Sequence, residues 1–480
     1  MCGLAGLIRY DGGARVHTDR VSMGIANLEA ELGYALFDRS HREPLPTPLA
    51  IEGMMAFFLE STFVGLFFFG WDRLSRVQHL LITFLVALGS SLSALWILIA
   101  NGWMNNPVGA EFNYETMRME LTSIVDVIFN PVAQVKFVHT LSAGYVAASM
   151  FVLGISAFYL LKGRDTAFAL RSFAIAAGFG LASTLSVIVL GDESGYTAGK
   201  VNKVKMAAME AEWHTEPAPA GITVFGWPNE KEQRTDFAFK IPYVLGLIGT
   251  RSVDKQISGI HDLKQEHEVR IRNGMLAYAA LTRLKGGDKS PQAIADFDKL
   301  KHDLGYGLLL KKYTPNVVDA TPAQIAMAVN DTFPKIAPMF WSFRLMVGLG
   351  ILFLFIFSCS FYFLIRKKLA RQRWLLRLAM YSIPLPWVAI ELGWLLAEYG
   401  RQPWTISGVL PTHLSASTLQ PGSLYFSLAG FLGFYSFLFV IEMILMVKYA
   451  RRGPSSLHTG KYHWESPGKP GASHDNTAKA

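Results

Sequence analysis

Long apolar blocks constrain this chain more than any other feature. Candidates fall at about residues 51–71, 76–101, 137–161, 168–191, 338–365, 374–398 and 422–448. Each can cross the hydrocarbon core of a bilayer, which takes roughly 20 residues in helical form. A lipid-embedded backbone has no water to bond, so such blocks must be helices. The expected class is therefore an all-α polytopic membrane protein with seven transmembrane helices. Composition agrees: 51% of the 480 residues are hydrophobic and only 17% charged, where soluble domains carry about 25% charged residues. This excludes a disordered chain and an ordinary cytosolic enzyme.

The remaining sequence is partitioned sharply. Residues 1–48 read as a separate N-terminal segment, and 49–191 hold the first four spans. A polar stretch, 192–337, includes amphipathic segments such as His261–Arg272 and Ala293–Leu304 and reads as a folded excursion. Residues 338–448 hold the last three spans, and 449–480 form a Gly/Pro/Ser-rich tail expected to be disordered. No internal repeat is evident.

Basic residues set the orientation. Arg73 and Arg76 lie in the first short loop, and Lys162, Arg164 and Arg171 in the third. Arg366, Lys367, Lys368, Arg371, Arg373 and Arg377 lie in the fifth, and Lys448, Arg451 and Arg452 follow the last block. Every second loop is basic, so those loops and the C-terminus are cytoplasmic, and 102–136, 192–337 and 399–421 face outside. The net charge of +8 is explained by this placement and gives no reason to expect nucleic acid. Two cysteines, Cys2 and Cys359, are too few for a disulfide framework or a four-cysteine metal site, and Cys359 reads as a small buried residue.

Ionisable groups inside spans are costly and are functional candidates for that reason. Glu52 and Glu60 lie eight residues apart on the first block, about 12 Å of rise and about 80° of rotation, so both can face one side of a bundle. They suit either an interhelical hydrogen bond or a proton relay beside a cofactor. His139 opens the third span and Met346 lies about two turns into the fifth, at similar depth from the outside. Imidazole and thioether form the axial pair of a six-coordinate low-spin haem, although a histidine at a helix end is commonly a cap, and with 17 methionines a chance pairing is easy. Glu391 and Glu398 lie on the sixth span. Glu398 precedes Tyr399-Gly400-Arg401-Gln402-Pro403-Trp404, where Arg401 can compensate its charge or serve with Trp404 as an interfacial anchor.

At these residues the sequence resembles subunit I of the cytochrome bd quinol oxidases, from about Pro48 to Tyr462. The segments that carry the likeness are Pro48-Leu49-Ala50-Ile51-Glu52-Gly53, Ala94 to Trp103, Gln134-Val135-Lys136-Phe137-Val138-His139-Thr140, Leu190 to Tyr196, and Gly400 to Trp404. The resemblance implies that His139 and Met346 are axial ligands of a low-spin haem b. It implies that Glu398 ligates a high-spin haem b, and that Glu52 and Glu60 serve the high-spin pair, which includes haem d, and its proton supply. Arg344 and Arg401 are implied to lie close to the haems, and Lys205 and Glu210 to bind quinol in a long outer loop. The implied reaction oxidises ubiquinol or menaquinol at the periplasmic face of a bacterial inner membrane. It reduces O2 to water with cytoplasmic protons, so a proton motive force arises without pumping. The implied partners are a second membrane subunit and a small single-helix accessory subunit.

The family's subunit has nine helices, and the resemblance implies that the first two, with a haem-ligating histidine on the first, have no counterpart here. His17 and His41 lie outside any apolar helix. Met1-Cys2-Gly3-Leu4-Ala5-Gly6-Leu7-Ile8 resembles the start of class II glutamine amidotransferases, and Val21 to Ser40 resembles part of a LysR-type helix-turn-helix. Neither fragment is long enough to hold its own core, and a misjoined start accounts for both. The alternative functions are a truncated or chimeric subunit that binds some haem without reducing oxygen, a proton transporter using Glu52, Glu60 and Glu391, and a DNA-binding or amidotransferase fusion.

Overall fold

The computed structural model describes residues 46–71, 73–116, 118–416 and 419–453. Cys2, His17, His41, the two N-terminal fragments and the tail beyond residue 453 lie outside the described residues. The first apolar run is helical from Pro46. It comprises α1 (Pro46–Ile51), a π-helical turn over Glu52–Ala56 and α2 (Phe57–Phe69). Such wide turns are rare and cluster at functional positions, and this one opens on Glu52. α3 follows (Arg76–Asn105), then a hairpin of β1 (Ala110–Asn113) and β2 (Arg118–Leu121).

α4 (Pro131–Lys162) starts with Asn130 as its cap, the side chain accepting from Val132 N at 3.0 Å, and with Pro131 at the first helical position, where a missing N–H costs nothing. Gly163, at φ 65°, ends it in the left-handed geometry that favours glycine. α5 (Thr166–Val201) runs well beyond the expected boundary at residue 191. At 36 residues it is about 54 Å long, nearly twice the hydrocarbon thickness, so its last turns stand beyond the membrane core, in the polar excursion. Arg251 holds them there. It bonds Asp192 and, at 2.9 Å, Glu193, and its guanidinium lies over the Tyr196 ring.

The excursion contains α6 (Lys203–Glu210), a hairpin of β3 (Ile222–Asn229) and β4 (Arg234–Ile241), α7 (Ile260–Lys285), α8 (Pro291–Leu300) and α9 (Pro322–Asp331). The amphipathic segments expected at His261–Arg272 and Ala293–Leu304 fall in α7 and across α8 with the short turns after it. The apolar stripe of α7 (Ile271, Ala277, Leu281) is buried against Leu304, Leu310 and Phe297. α9 opens with a capping box made by Thr321 and Gln324.

α10 (Ile336–Ile365) is the fifth span. The sixth is broken into α11 (Arg373–Tyr381) and α12 (Leu385–Tyr399), bent by 44°. Pro384 at the break has no N–H to donate and crowds the preceding turn. A last hairpin, β5 (Trp404–Ile406) with β6 (Leu410–Pro411), precedes α13 (Pro421–Arg452). Among the described residues, six helices are long and apolar enough to cross a membrane, or seven if the bent pair is one span. The chain is thus a mostly helical, multi-pass membrane protein, and the described residues add three two-stranded hairpins to the all-α expectation.

The chain divides into two compact units, one built on Leu95–Pro421 and the other on Ala50–Ala94 with the chain from Gly422. In the first, α4 and α5 pack along their length through Met150, Leu153, Phe173 and Ala177, and Phe353 and Phe357 of α10 close the same core. The second holds α2, most of α3, and α13, whose side chains are almost all exposed.

Candidate redox and quinol site

Two polar clusters form in the first unit, where the spans meet the 192–337 excursion. The first centres on Glu398, in the last turn of α12. Its Oε2 accepts from Arg401 at 2.6 Å and its Oε1 from Asn101 Nδ2, also at 2.6 Å. Asn101 Oδ1 in turn accepts from Lys136 Nζ at 2.7 Å. One turn along α3, Asn105 bonds back to Asn101 O and accepts from Lys205 Nζ at 3.1 Å, and Lys205 also donates to Ala397 O. Three cations, Lys136, Lys205 and Arg401, thus surround one carboxylate. Burial pushes Lys205 down to about 8, with Glu398 opposing the shift and Arg401 adding to it.

The second cluster centres on Arg344 of α10. Its Nη2 donates to Glu210 Oε2 at 2.7 Å and its Nε to Thr223 O at 3.0 Å, and Nη1 bonds Met209 O. The guanidinium lies 3.7 Å from the centre of the Phe340 ring. Glu210 is 2% exposed. Burial raises its carboxyl and Arg344 works against that rise. This pair joins the end of α6 and strand β3 to a membrane span.

His139 and Met346 lie on helices of the same unit that both pack against α5 and α12, eight residues into α4 and ten residues into α10. Those positions are about 12 Å and about 15 Å along their helices. A glycine faces each. A Cβ at Gly191 of α5 would lie 3.5 Å from His139 Cε1, and one at Gly393 of α12 would lie 3.1 Å from Met346 Sδ. The second is tighter than ordinary van der Waals contact, so a side chain at 393 would require the Met346 thioether to shift by a few tenths of an ångström.

The sequence of the chain matches the cytochrome bd terminal oxidase subunit I family over residues 33–454. The chain belongs to that family. It is 50% identical over 412 residues to the cytochrome bd-II ubiquinol oxidase subunit 1 of Escherichia coli K12, covering 86% of this chain and 80% of that one. It is 30% identical over 423 residues to the cytochrome bd ubiquinol oxidase subunit 1 of Bacillus subtilis 168, covering 88% and 78%. Its fold matches the bd oxidase of Geobacillus thermodenitrificans with a TM-score of 0.65, at 24% identity over 85% of this chain and 78% of that one. The family match begins at residue 33, upstream of Pro48, and ends at 454 rather than 462. Residues 33–47, which include part of the segment likened to a helix-turn-helix, therefore fall inside the family region.

Cytochrome bd oxidases carry haems, and the residues of this chain fit such a group. His139 Nδ1 is buried with no partner in hydrogen-bond geometry, as are Nε and Nη1 of Arg401. Orphaned donors beside a surplus of cations suit a ligand that brings its own carboxylates. Imidazole and thioether, with glycines keeping the flanking helices clear, suit its iron.

The sequence-predicted residues divide between the two units. Lys205, Glu398 and Arg401 meet in the first cluster, and Glu210 and Arg344 in the second. Glu52 and Glu60 belong to the other unit, where each accepts from one serine of α3, Glu52 from Ser93 at 2.7 Å and Glu60 from Ser90 at 2.8 Å. Glu391 is exposed on α12 and joins neither cluster. Sequence reasoning missed Lys136, Asn101 and Asn105 as the links of the first cluster. The signal was present: Lys136 is a cation at the edge of an apolar block, three residues before His139, and two asparagines one turn apart follow another.

Proposed function

We propose that this chain is the haem-bearing subunit of a terminal respiratory oxidase that oxidises quinol at the outer face of a bacterial inner membrane and reduces O2 to water. In this reading His139 and Met346 hold a low-spin haem b, and Glu398 a high-spin haem b of a pair completed by haem d. The bound haems supply the one-electron chemistry linking a two-electron donor to oxygen.

The protein supplies position and charge. Lys136 and Arg401 hold haem carboxylates through the donors they have to spare. Lys205 and Glu210 bind the quinol head group, Glu210 accepting a hydroxyl proton. Arg344 fixes Glu210 and, two residues before Met346, keeps the quinol loop against the low-spin site. Glu52 and Glu60, each hydrogen-bonded to a serine, pass cytoplasmic protons toward oxygen. Protons released outside and taken up inside separate charge without a pump. The partners are a second membrane subunit, a small single-helix subunit, and ubiquinol or menaquinol.

The observation that carries this reading is the Arg344–Glu210 pair, which brings the outer loop within two residues of a haem ligand. The test is a reduced-minus-oxidised spectrum of membranes holding this chain and its second subunit. Low-spin haem b absorption is expected, and His139→Ala should abolish it together with quinol oxidation. Retention of both in that variant overturns the assignment.

A further inference from the structure

One group of titratable side chains has no part in the two clusters. α6 ends at Glu210, Ala211 breaks the helix at φ 51°, and the chain continues through Glu212 to Glu216. Exposure of the three carboxylate side chains rises stepwise, from 2% at Glu210 to 8% at Glu212 and 20% at Glu216. Lys240 of β4 binds the outer two. Its Nζ is 2.7 Å from Glu216 Oε2 and 3.4 Å from Glu212 Oε2, and its own side chain is 38% exposed. Lys240 also acts on Glu210 through its charge.

Two carboxylates sharing one ammonium leave a surplus negative charge in a half-buried place, a standard means of keeping one proton on a pair. The buried member retains it: burial pushes Glu212 up to about 8 against the pull of Lys240. Burial is the largest single influence on Glu216 and works to raise it, but the hydrogen bonds from Lys240 and Glu212, the charge of Lys240 and the Gly221 N–H together outweigh it and hold Glu216 below the ordinary range. The charged groups facing the pair are Lys240 from β4, Glu210 from α6 and, behind Glu210, Arg344 from α10. Asp262 of α7 is bonded to Thr215, and Asp236 of β4 pairs with Arg234. Neighbouring groups whose environments separate their proton affinities are the arrangement that proton transfer uses.

We infer that Glu212 and Glu216, bridged by Lys240, form a proton-release station through which protons leaving quinol at Glu210 reach the outer water. The inference rests on the function proposed above. Quinol becomes quinone by losing two electrons and two protons. The electrons go to haem iron, and the protons leave one at a time. Glu212 gives its proton to Glu216 and so to water, and in its ionised form takes the next from Glu210. No bond other than O–H forms or breaks at the station.

The experiment uses the assembled oxidase and the variants Glu212→Gln and Glu216→Gln, which keep side-chain size. In the unaltered enzyme, quinol oxidation should rise toward about pH 8 as Glu212 ionises. Glu212→Gln should lower kcat about tenfold, leave KM for quinol and the haem spectrum unchanged, and flatten the alkaline rise. Glu216→Gln should lower kcat less. Infrared absorption of a protonated carboxyl should disappear near pH 8 in the unaltered protein and be missing in Glu212→Gln, a readout that needs no turnover. If the unaltered enzyme oxidises quinol and Glu212→Gln matches its rate and pH profile, only the station falls. If the unaltered, haem-loaded enzyme oxidises no quinol, the function reading falls first and the station with it. A carboxyl band that still disappears near pH 8 in Glu212→Gln also overturns the assignment.

Discussion

Glu398 and the pair Glu52 and Glu60 are all carboxylates on apolar helices, yet their surroundings differ. Glu398 meets a guanidinium and an amide, each at 2.6 Å, and through Asn101 is linked to Lys136. Glu52 and Glu60 each have one serine hydroxyl. A carboxylate held by fixed cations is a structural charge, and its removal leaves those cations buried without a counter-ion. A carboxylate held by one neutral donor can gain or lose a proton with little rearrangement. The first arrangement suits holding a group in place, and the second suits passing protons on.

The widest separation between the two kinds of site is expected on removing the carboxylates. Glu398→Ala strands Arg401, only 7% exposed at its side chain, and frees Asn101 and with it Lys136. Breaking one partner of a buried pair costs about 3–5 kcal/mol, so the assembled protein should lose thermal stability by several degrees together with its high-spin haem signal. Glu60→Gln keeps a hydrogen bond to Ser90, so it should leave assembly and haem content intact while slowing oxygen reduction. Comparable losses of stability in the two variants contradict the division.

Arg344 gives the next largest effect. A lysine in its place keeps the charge but cannot span Glu210, Thr223 O and Met209 O at once. Arg344→Lys is expected to lower quinol oxidation by about tenfold or more, with oxygen reduction from an artificial donor much less affected. Steady-state rates with the two donors check this. Equal losses with both place Arg344 in the oxygen reaction instead.

These sites were legible in the sequence to unequal degrees. Imidazole and carboxylate in apolar blocks stand out because their burial is costly, and His139 and Glu398 could be named for that reason; Met346, an apolar side chain, could be named only from its depth beside His139 and from the family resemblance. Pairing could not be read. Glu210 and Arg344 are 134 residues apart, and no periodicity connects a turn of the polar excursion to a membrane span. The spans were legible wherever hydropathy decides a boundary. The end of α5 was not, because Asp192 and Glu193 resemble a membrane edge, and what extends the helix past them is Arg251, supplied from 59 residues away. The bend in the sixth span was foreshadowed only by Pro384.

Lys205 sharpens the comparison through pH. In the folded chain it loses its proton at about 8, against an ordinary 10.5. Between those values the unfolded chain binds more protons, so stability rises with pH across that window. The penalty of burying the cation is present in full below about pH 8 and is relieved as pH climbs toward 10.5. Lys205→Met removes the titration, and its thermal midpoint should change less between those limits than that of the unaltered protein. An equal slope in both means that other groups set the dependence.

The smallest effect tests the proton-passing side. Ser90→Ala and Ser93→Ala each remove one neutral donor from a carboxylate that is only partly buried, and such a bond contributes about 1 kcal/mol. Thermal midpoints should move by no more than a few degrees. The rate of oxygen reduction should fall modestly, because a carboxylate that has lost its one fixed donor is less well oriented for proton transfer. If the serine variants instead lose haem or fail to assemble, Glu52 and Glu60 are anchors of the same kind as Glu398, and the proton path lies elsewhere.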